Sequence, residues 1–291
     1  MSYMKKTILP LIGMLLLSEA QSQSFYGTAF AGGANYQGEL QELSFAFPSI
    51  RFTAGIGGQL RLNDHLWVNS ELMWAHLGGN DADIRINSSN VARNLSFETE
   101  LQELSLRLRL NILPGIKQPF VPYVTAGAAV FRIDPYAFDG DGVKHFLYPL
   151  STEGQGLPDY PDRKVPRRVN LSLPMGGGLE FKLSRTLRVD LEMLYRKTFT
   201  DHIDDVSSFY PDADLLLAAR GAKAVEMSYR GREIPGGRSS FPSGAQRGNP
   251  NRMDWYHTFN IRLKYAFSDP SQSRVDKRKI SSIDCWRGGG R

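Results

Sequence analysis

The sequence is poor in the residues on which disulfide-stapled domains and metal enzymes depend. Of 291 residues only one is a cysteine, Cys285. A lone thiol excludes an internal disulfide framework; in an oxidising compartment it can only cross-link to another molecule or stay free. The five histidines, His65, His76, His145, His202 and His257, are scattered without metal-ligand spacing, so neither a metal nor a cofactor is expected. Beyond the first residues, no segment approaches 18 uninterrupted apolar residues, which excludes a membrane-spanning helix. The net charge of +5 is not gathered into one patch, as a nucleic-acid surface would require. Basic residues are spread through the chain and bunch only near its C-terminus, so no nucleic-acid partner is expected.

What the sequence does contain begins with an export leader. Met1 to Ser24 has a basic start at Lys5 and Lys6 and an apolar stretch over Ile8–Leu17. A small-residue cleavage site follows at Ser18-Glu-Ala20 or Ala20-Gln-Ser22. No cysteine lies near that point, so a lipoprotein is not expected. Residues 1–22 are read as a signal peptide, 23–267 as one barrel domain and 268–291 as a basic tail.

The dominant pattern downstream is alternation at period two in segments of about ten residues. Leu104, Leu106, Leu108, Leu110 and Ile112 point one way, while Ser105, Arg107, Arg109 and Asn111 point the other. The same pattern recurs over 50–62, 187–196 and 255–267. Segments 24–36, 66–77 and 168–183 read less cleanly as strands, and 120–133 is apolar on both faces. Pro174, which removes a ladder hydrogen bond, predicts a bulge in its strand.

The connections separate a membrane barrel from a soluble sandwich. Links 63–65, 113–119 and 184–186 are short, whereas 37–49, 78–96, 134–167 and 201–254 are long, and the two kinds alternate. The expected fold is therefore all-β: a transmembrane up-and-down antiparallel barrel of about eight strands. Its long loops are external and its short turns periplasmic, and closure leaves no strand edge for lipid to meet. Aromatic residues near strand ends (Phe25, Tyr26, Trp67, Trp74, Phe120, Tyr123, Tyr195, Trp255 and Phe267) suggest an interfacial girdle. Outer-membrane lipid is the expected surrounding.

The inward set carries both charges: Arg51, Arg61, Arg107, Arg109, Lys182, Arg188, Arg196, Arg262 and Lys264 face Glu71, Glu103, Glu180, Asp190 and Glu192. In an eight-stranded barrel side chains fill the interior, so this set predicts a paired plug rather than a conduit. The glycine runs Gly55-Ile-Gly57-Gly58 and Gly176-Gly177-Gly178 lack the spacing and helix of a phosphate loop; inside strands they mark close packing. Asp201-His202-Ile203-Asp204-Asp205 falls at the external rim, where Asp and His pairs can activate water. One acidic cluster is more often a loop base, and no catalytic residue is assigned.

The tail beyond Phe267 holds Arg274, Lys277, Arg278, Lys279, Cys285 and Trp286. An even strand number returns it to the periplasm, where its cations and single aromatic anchor suit docking onto an acidic partner.

Several segments resemble a Bacteroidota outer-membrane β-barrel family. These are Tyr148–Arg163 with its Thr152-Glu153-Gly154-Gln155-Gly156 stretch, Tyr195–Ser207, Asn35-Tyr36-Gln37-Gly38, Arg93–Phe97 and Pro122-Tyr123. The family includes PorG-like barrels of type IX protein secretion and gliding motility. The resemblance implies a non-enzymatic outer-membrane component that contacts a periplasmic ring of a PorK-like lipoprotein and a PorN-like protein, with a disulfide at Cys285 as one means. It implies no catalytic residues. The contact surface would be the tail with the turns at Asp64, Pro114–Lys117 and Arg185, while the 152–156 motif faces outward. Other readings are a surface adhesin or receptor using loops 134–167 and 201–254, a small porin, and a hydrolase using Asp201, His202 and Asp205. Residues 230–252, rich in Gly, Arg, Ser and Pro, read as mobile.

Overall fold

The computed structural model describes residues 24–41, 49–83, 93–113, 119–235 and 240–267. The leader 1–22, the turn 114–118 and the tail 268–291 lie outside the described residues, and with them Arg274, Lys277, Arg278, Lys279, Cys285 and Trp286.

Ten strands are described: β1 (Phe25–Gln37), β2 (Arg51–Arg61), β3 (Leu66–Asn80), β4 (Ser96–Asn111), β5 (Phe120–Arg132), β6 (Tyr136–Phe138), β7 (Lys144–Phe146), β8 (Val169–Lys182), β9 (Leu187–Thr198) and β10 (Trp255–Ala266). Setting aside β6 and β7, which form a hairpin inside one long loop, the remaining eight pair antiparallel with their chain neighbours. β1 pairs with β10 and β3 with β4, so the sheet closes. Both ends of the barrel chain lie at the short-turn end, where the amide of Phe267 donates to the carbonyl of Phe25.

Side-chain alternation decides which way each strand faces. Leu106 is 60% exposed and Arg107, the next residue, is 1% exposed. The same inversion runs along β10, where Phe259, Ile261, Leu263 and Tyr265 are exposed while Asn260, Arg262 and Lys264 are buried. A continuous belt of exposed leucine, isoleucine, valine and phenylalanine far exceeds what a soluble domain presents to water. It is the outer surface of a barrel whose strands each pair on both sides, as lipid demands. Among the described residues no helix is long and apolar enough to cross a membrane; the crossing is made by strands.

Two expectations need correction, and one strand changes polarity along its length. β4 begins at Ser96, well before the alternation becomes visible at Leu104. In this first part the polarity is reversed: Phe97 and Leu101 point inward, whereas Glu98, Glu100 and Gln102 point out or lie at the surface. The β3–β4 ladder extends to Asn80↔Ser96, past the apolar belt, where the outer face meets water. Pro174 makes no bulge. Its pairing with β9 is in register, and the β5 ladder merely lapses between Ala126↔Met175 and Ala129↔Ser172 before resuming unshifted. Finally, Tyr26, Trp67 and Tyr123 are buried inside rather than forming a girdle, because their parity is inward. The external aromatic ring at the short-turn end is built by Phe25, Phe120, Phe181, Tyr265 and Phe267, with Phe25 stacked on Phe267 at 5.8 Å.

Candidate functional site

Two polar assemblies fill the molecule, one within the barrel and one across its external mouth. In the barrel, Arg262 lies 3.0 Å from Glu71 and 2.7 Å from Glu192, and Arg107 lies 2.5 Å from Glu71 and 3.2 Å from Glu192. Closer to the short-turn end, Glu180 receives Arg109 at 2.6 Å, Lys264 at 2.6 Å and Arg188 at 2.5 Å. Asp190 lies 3.0 Å from Arg109. Higher up, Arg196 binds Glu103 at 2.8 Å. Arg109 also lies over Tyr123, 3.6 Å from the ring centroid. Burial of these charges is tolerable because each cation lies beside at least one carboxylate of opposite sign. Glycines make the room: a Cβ on Gly127 would meet the carbonyl of Leu106 at 2.1 Å and the Cα of Arg107 at 2.6 Å. Both glycine runs singled out in the sequence lie within strands, β2 and β8. Three of the expected inward charges lie at the rims instead of in the network. Arg51 reaches Glu98 at 4.0 Å with a half-exposed side chain, Arg61 pairs with Asp64 of the adjacent turn, and Lys182 is half-buried.

Above the network, Phe97, Leu101, Phe131, Ile133, Leu147, Ile203, Val206 and Met227 form an apolar layer. Over it the long loops fold on one another, with helices α1 (Ala213–Arg220) and α2 (Ala222–Ser228) in the last loop. Asp212 caps α1 by accepting from the amides of Asp214 and Leu215.

The centre of this dome is the 152–156 motif. Glu153 accepts from the amides of Ser207 at 2.8 Å and Ser208 at 2.9 Å, from the Ser208 hydroxyl at 2.7 Å and from Arg247 at 2.9 Å. Burial alone would raise the Glu153 carboxyl, but Arg247 and the Ser207 amide hold it below its ordinary range. Thr152 donates to Asp205, and the Gln155 side chain accepts from the Glu153 amide. Gly154 and Gly156 have φ of +77° and +72°, a backbone that suits glycine. The motif is therefore a loop-folding knot in which the Glu153 carboxylate and the Gln155 side-chain carbonyl are consumed internally.

Arg93 ties a second loop to it, donating to both oxygens of Asp81 at 2.7 and 2.8 Å and to the carbonyl of Arg247. Residues 230–235 and 240–252, read from composition as mobile, include Arg247, which is 3% exposed and anchors this knot. Composition does not reveal that one buried guanidinium can order a glycine-rich segment.

Beside the knot lies a carboxylate cluster that spacing arguments could not find. Glu39, Asp204 and Asp254 each offer an oxygen to a group whose members all lie within 4.8 Å of one another. One oxygen of Asp254 is held by the amide of Ile203 at 2.9 Å, and one of Asp204 by the amide of Val206 at 2.9 Å. The Tyr36 hydroxyl lies 2.6 Å from Asp204 and 2.9 Å from Asp254. Gly38 lets the chain pass closely, since a Cβ there would stand 2.2 Å from Asp254 Oδ1. Desolvation raises the Glu39 carboxyl to about 9 and that of Asp204 to about 7, and pushes Asp254 well up.

The family described as "Domain of unknown function (DUF6089)" matches residues 5–217. The chain belongs to the DUF6089 family. No curated protein matches this DUF6089 chain. Among solved structures it is similar to Neisserial surface protein A, with 12% identity, 85% of this chain and 100% of that chain covered, and a TM-score of 0.43. It is also similar to Ail of Yersinia pestis (12%, 84% and 99%, 0.40) and to OprG of Pseudomonas aeruginosa (11%, 84% and 96%, 0.36). At these values function has to be read from the DUF6089 chain itself. Its own closed sheet, apolar belt and loop asymmetry make it an outer-membrane-type eight-stranded β-barrel.

The rim segment considered for hydrolysis is dispersed. Asp201 lies 3.8 Å from His202 but accepts from the Ser207 hydroxyl at 2.7 Å, and Asp205 is buried against Thr152. Of the turns considered for a periplasmic partner, Asp64 pairs with Arg61, and Arg185 is exposed.

Proposed function

We propose that the protein is a non-enzymatic outer-membrane scaffold of the type IX secretion machinery. Its barrel anchors a periplasmic contact surface to a ring of PorK-like and PorN-like proteins. The observation that carries the scaffold reading is the barrel interior. Arg107, Arg109, Arg262 and Lys264 are each no more than 1% exposed and are bonded to carboxylates across the lumen. Such a lumen offers a solute no polar path. Among the described residues the 152–156 motif of the external loops is bonded to neighbouring loop segments, and the reading places the partner contact on the periplasmic face. The secretion assignment itself rests on the resemblance of residues 148–163 and 195–207 to the barrels of that machinery. The tail, with Cys285 and its cations, is the element proposed to touch the ring.

A pull-down of the intact protein from detergent without reductant, repeated with Cys285→Ser and with 268–291 deleted, tests the reading. Recovery of PorK-like and PorN-like partners, lost on tail deletion, is the expected result. Intact assembly and unchanged export of secreted cargo after the deletion would remove the tail from the proposal. Planar-bilayer recordings are expected to show no steady conductance; an open channel would favour a porin.

A further inference from the structure

The three carboxylates at the mouth demand a counter-charge that the buried side chains around them do not provide. Glu39 is 8% exposed, and neither of its carboxylate oxygens accepts a hydrogen bond from another residue. Its head group nevertheless lies within 4.8 Å of ligand oxygens from Asp204 and Asp254. The two aspartates are buried and fixed by backbone amides on one oxygen each, which leaves their other oxygens turned to Tyr36. Tyr36 carries one proton and can donate to only one of them. The buried arginines of the mouth are engaged elsewhere, Arg93 with Asp81 and Arg247 with Glu153. Arg252 is exposed, and its pull on Glu39 is smaller than the opposing effects of burial and of Asp204.

We propose that Glu39, Asp204 and Asp254 form a calcium site that fastens the first external loop to the last across the β1–β10 seam. The donors are all hard oxygens, with no histidine or thiol among them, which excludes a preference for zinc or copper. Calcium–oxygen bonds of about 2.3–2.6 Å allow ligand oxygens up to roughly 5 Å apart, whereas magnesium at about 2.0–2.1 Å requires a tighter set. Water completes the shell. Glu39 follows β1 directly, while Asp204 and Asp254 stand at the two ends of the β9–β10 loop. One ion thus closes that loop on itself and joins it to the neighbouring one. Two segments that the sequence marked out separately, Asn35–Gly38 and Tyr195–Ser207, meet at this point. The site stands whether or not the barrel serves secretion.

The test uses the full chain folded in detergent micelles and stripped with EGTA. Terbium luminescence sensitised by Tyr36, with displacement by calcium, reads the site directly; calorimetry of calcium alone gives the affinity. Calcium binding in the micromolar to millimolar range is expected, with magnesium at least about tenfold weaker. Glu39→Gln and Asp254→Asn are each expected to abolish the terbium signal while the protein keeps the heat-modifiable gel shift of a folded barrel. Calcium should also slow protease cleavage of the external loops in the parent and not in the variants. Absence of binding at 10 mM calcium, on the order of ten times the weak end of extracellular sites, overturns the proposal. So does unchanged binding in both variants. Equal affinity for magnesium overturns the assignment to calcium. If the variants resist protease better than the parent and calcium has no effect, the cluster is held by shared protons and the proposal fails.

Discussion

The barrel interior and the loop dome solve the same problem, buried charge, in opposite ways. In the interior six cations (Arg107, Arg109, Arg188, Arg196, Arg262 and Lys264) face five carboxylates (Glu71, Glu103, Glu180, Asp190 and Glu192), and all are buried. Around the knot and its neighbouring cluster two buried arginines, Arg93 and Arg247, face seven buried carboxylates: Glu39, Asp81, Glu153, Asp201, Asp204, Asp205 and Asp254. The interior is neutralised by its own side chains. The mouth is not, and its surplus must be met by protons or by a bound cation. The difference follows from location: lipid surrounds the one region, and an aqueous medium rich in ions bathes the other.

The largest expected effect comes from breaking the balanced side. Arg262→Leu leaves Glu71 and Glu192 with Arg107 as their one remaining shared guanidinium and is expected to cost about 3–5 kcal/mol. Refolding yield and the midpoint of the heat-modifiable transition in detergent measure it, and a loss below about 1 kcal/mol would show that the network is not the stabilising plug described. Next is the dome's own pair. Arg247→Met strips Glu153 and the knot of their cation. About 3 kcal/mol of loop stability should be lost, read as faster protease cleavage within 201–254 while the barrel transition holds.

The pH dependence sharpens the contrast. Burial raises the folded-state carboxyls of Glu39 to about 9 and of Asp204 and Asp205 to about 7. A raised folded value means that the folded state binds more protons, so stability is fully present below the ordinary carboxylate range near pH 4 and falls as pH rises through 7 to 9. In chelator, loop protection should therefore decline from pH 5 to pH 9. The variant carrying E39Q, D204N and D254N should lose most of that slope. The smallest effect is expected at the surface of the dome. Glu233→Gln removes the 2.8 Å contact to Arg230 and should change loop stability by less than about 1 kcal/mol, within the error of a thermal melt.

Legibility in the sequence followed the chemistry of the surroundings. β10 and the second half of β4 were plain, because lipid on one side and charge on the other enforce strict alternation from Leu104 to Ile112 and from Trp255 to Phe267. The first part of β4 follows the 78–96 link as read, but it lacks the apolar outward face because Glu98 and Glu100 stand above the lipid, where an outward residue can be polar. Parity placed the deep interior charges correctly, yet it could not tell that Arg51 and Arg61 lie at rims, since depth is not written in a period of two. The mouth was the least legible region. Its central acids Glu39, Glu153, Asp204 and Asp254 come from three separate loops, and no local pattern announces that loops will fold inward over a barrel.

Sequence alone therefore determined that the chain crosses a membrane as alternating strands with long loops on one side, because period-two patterning is a local consequence of a pleated backbone between lipid and a polar lumen. Tertiary structure alone decided which charges meet, that Arg247 orders a glycine-rich segment, and that Glu39, Asp204 and Asp254 share one pocket. Those facts depend on distances between residues far apart in the chain, which only closure of the β1–β10 seam and the packing of loops against each other can fix.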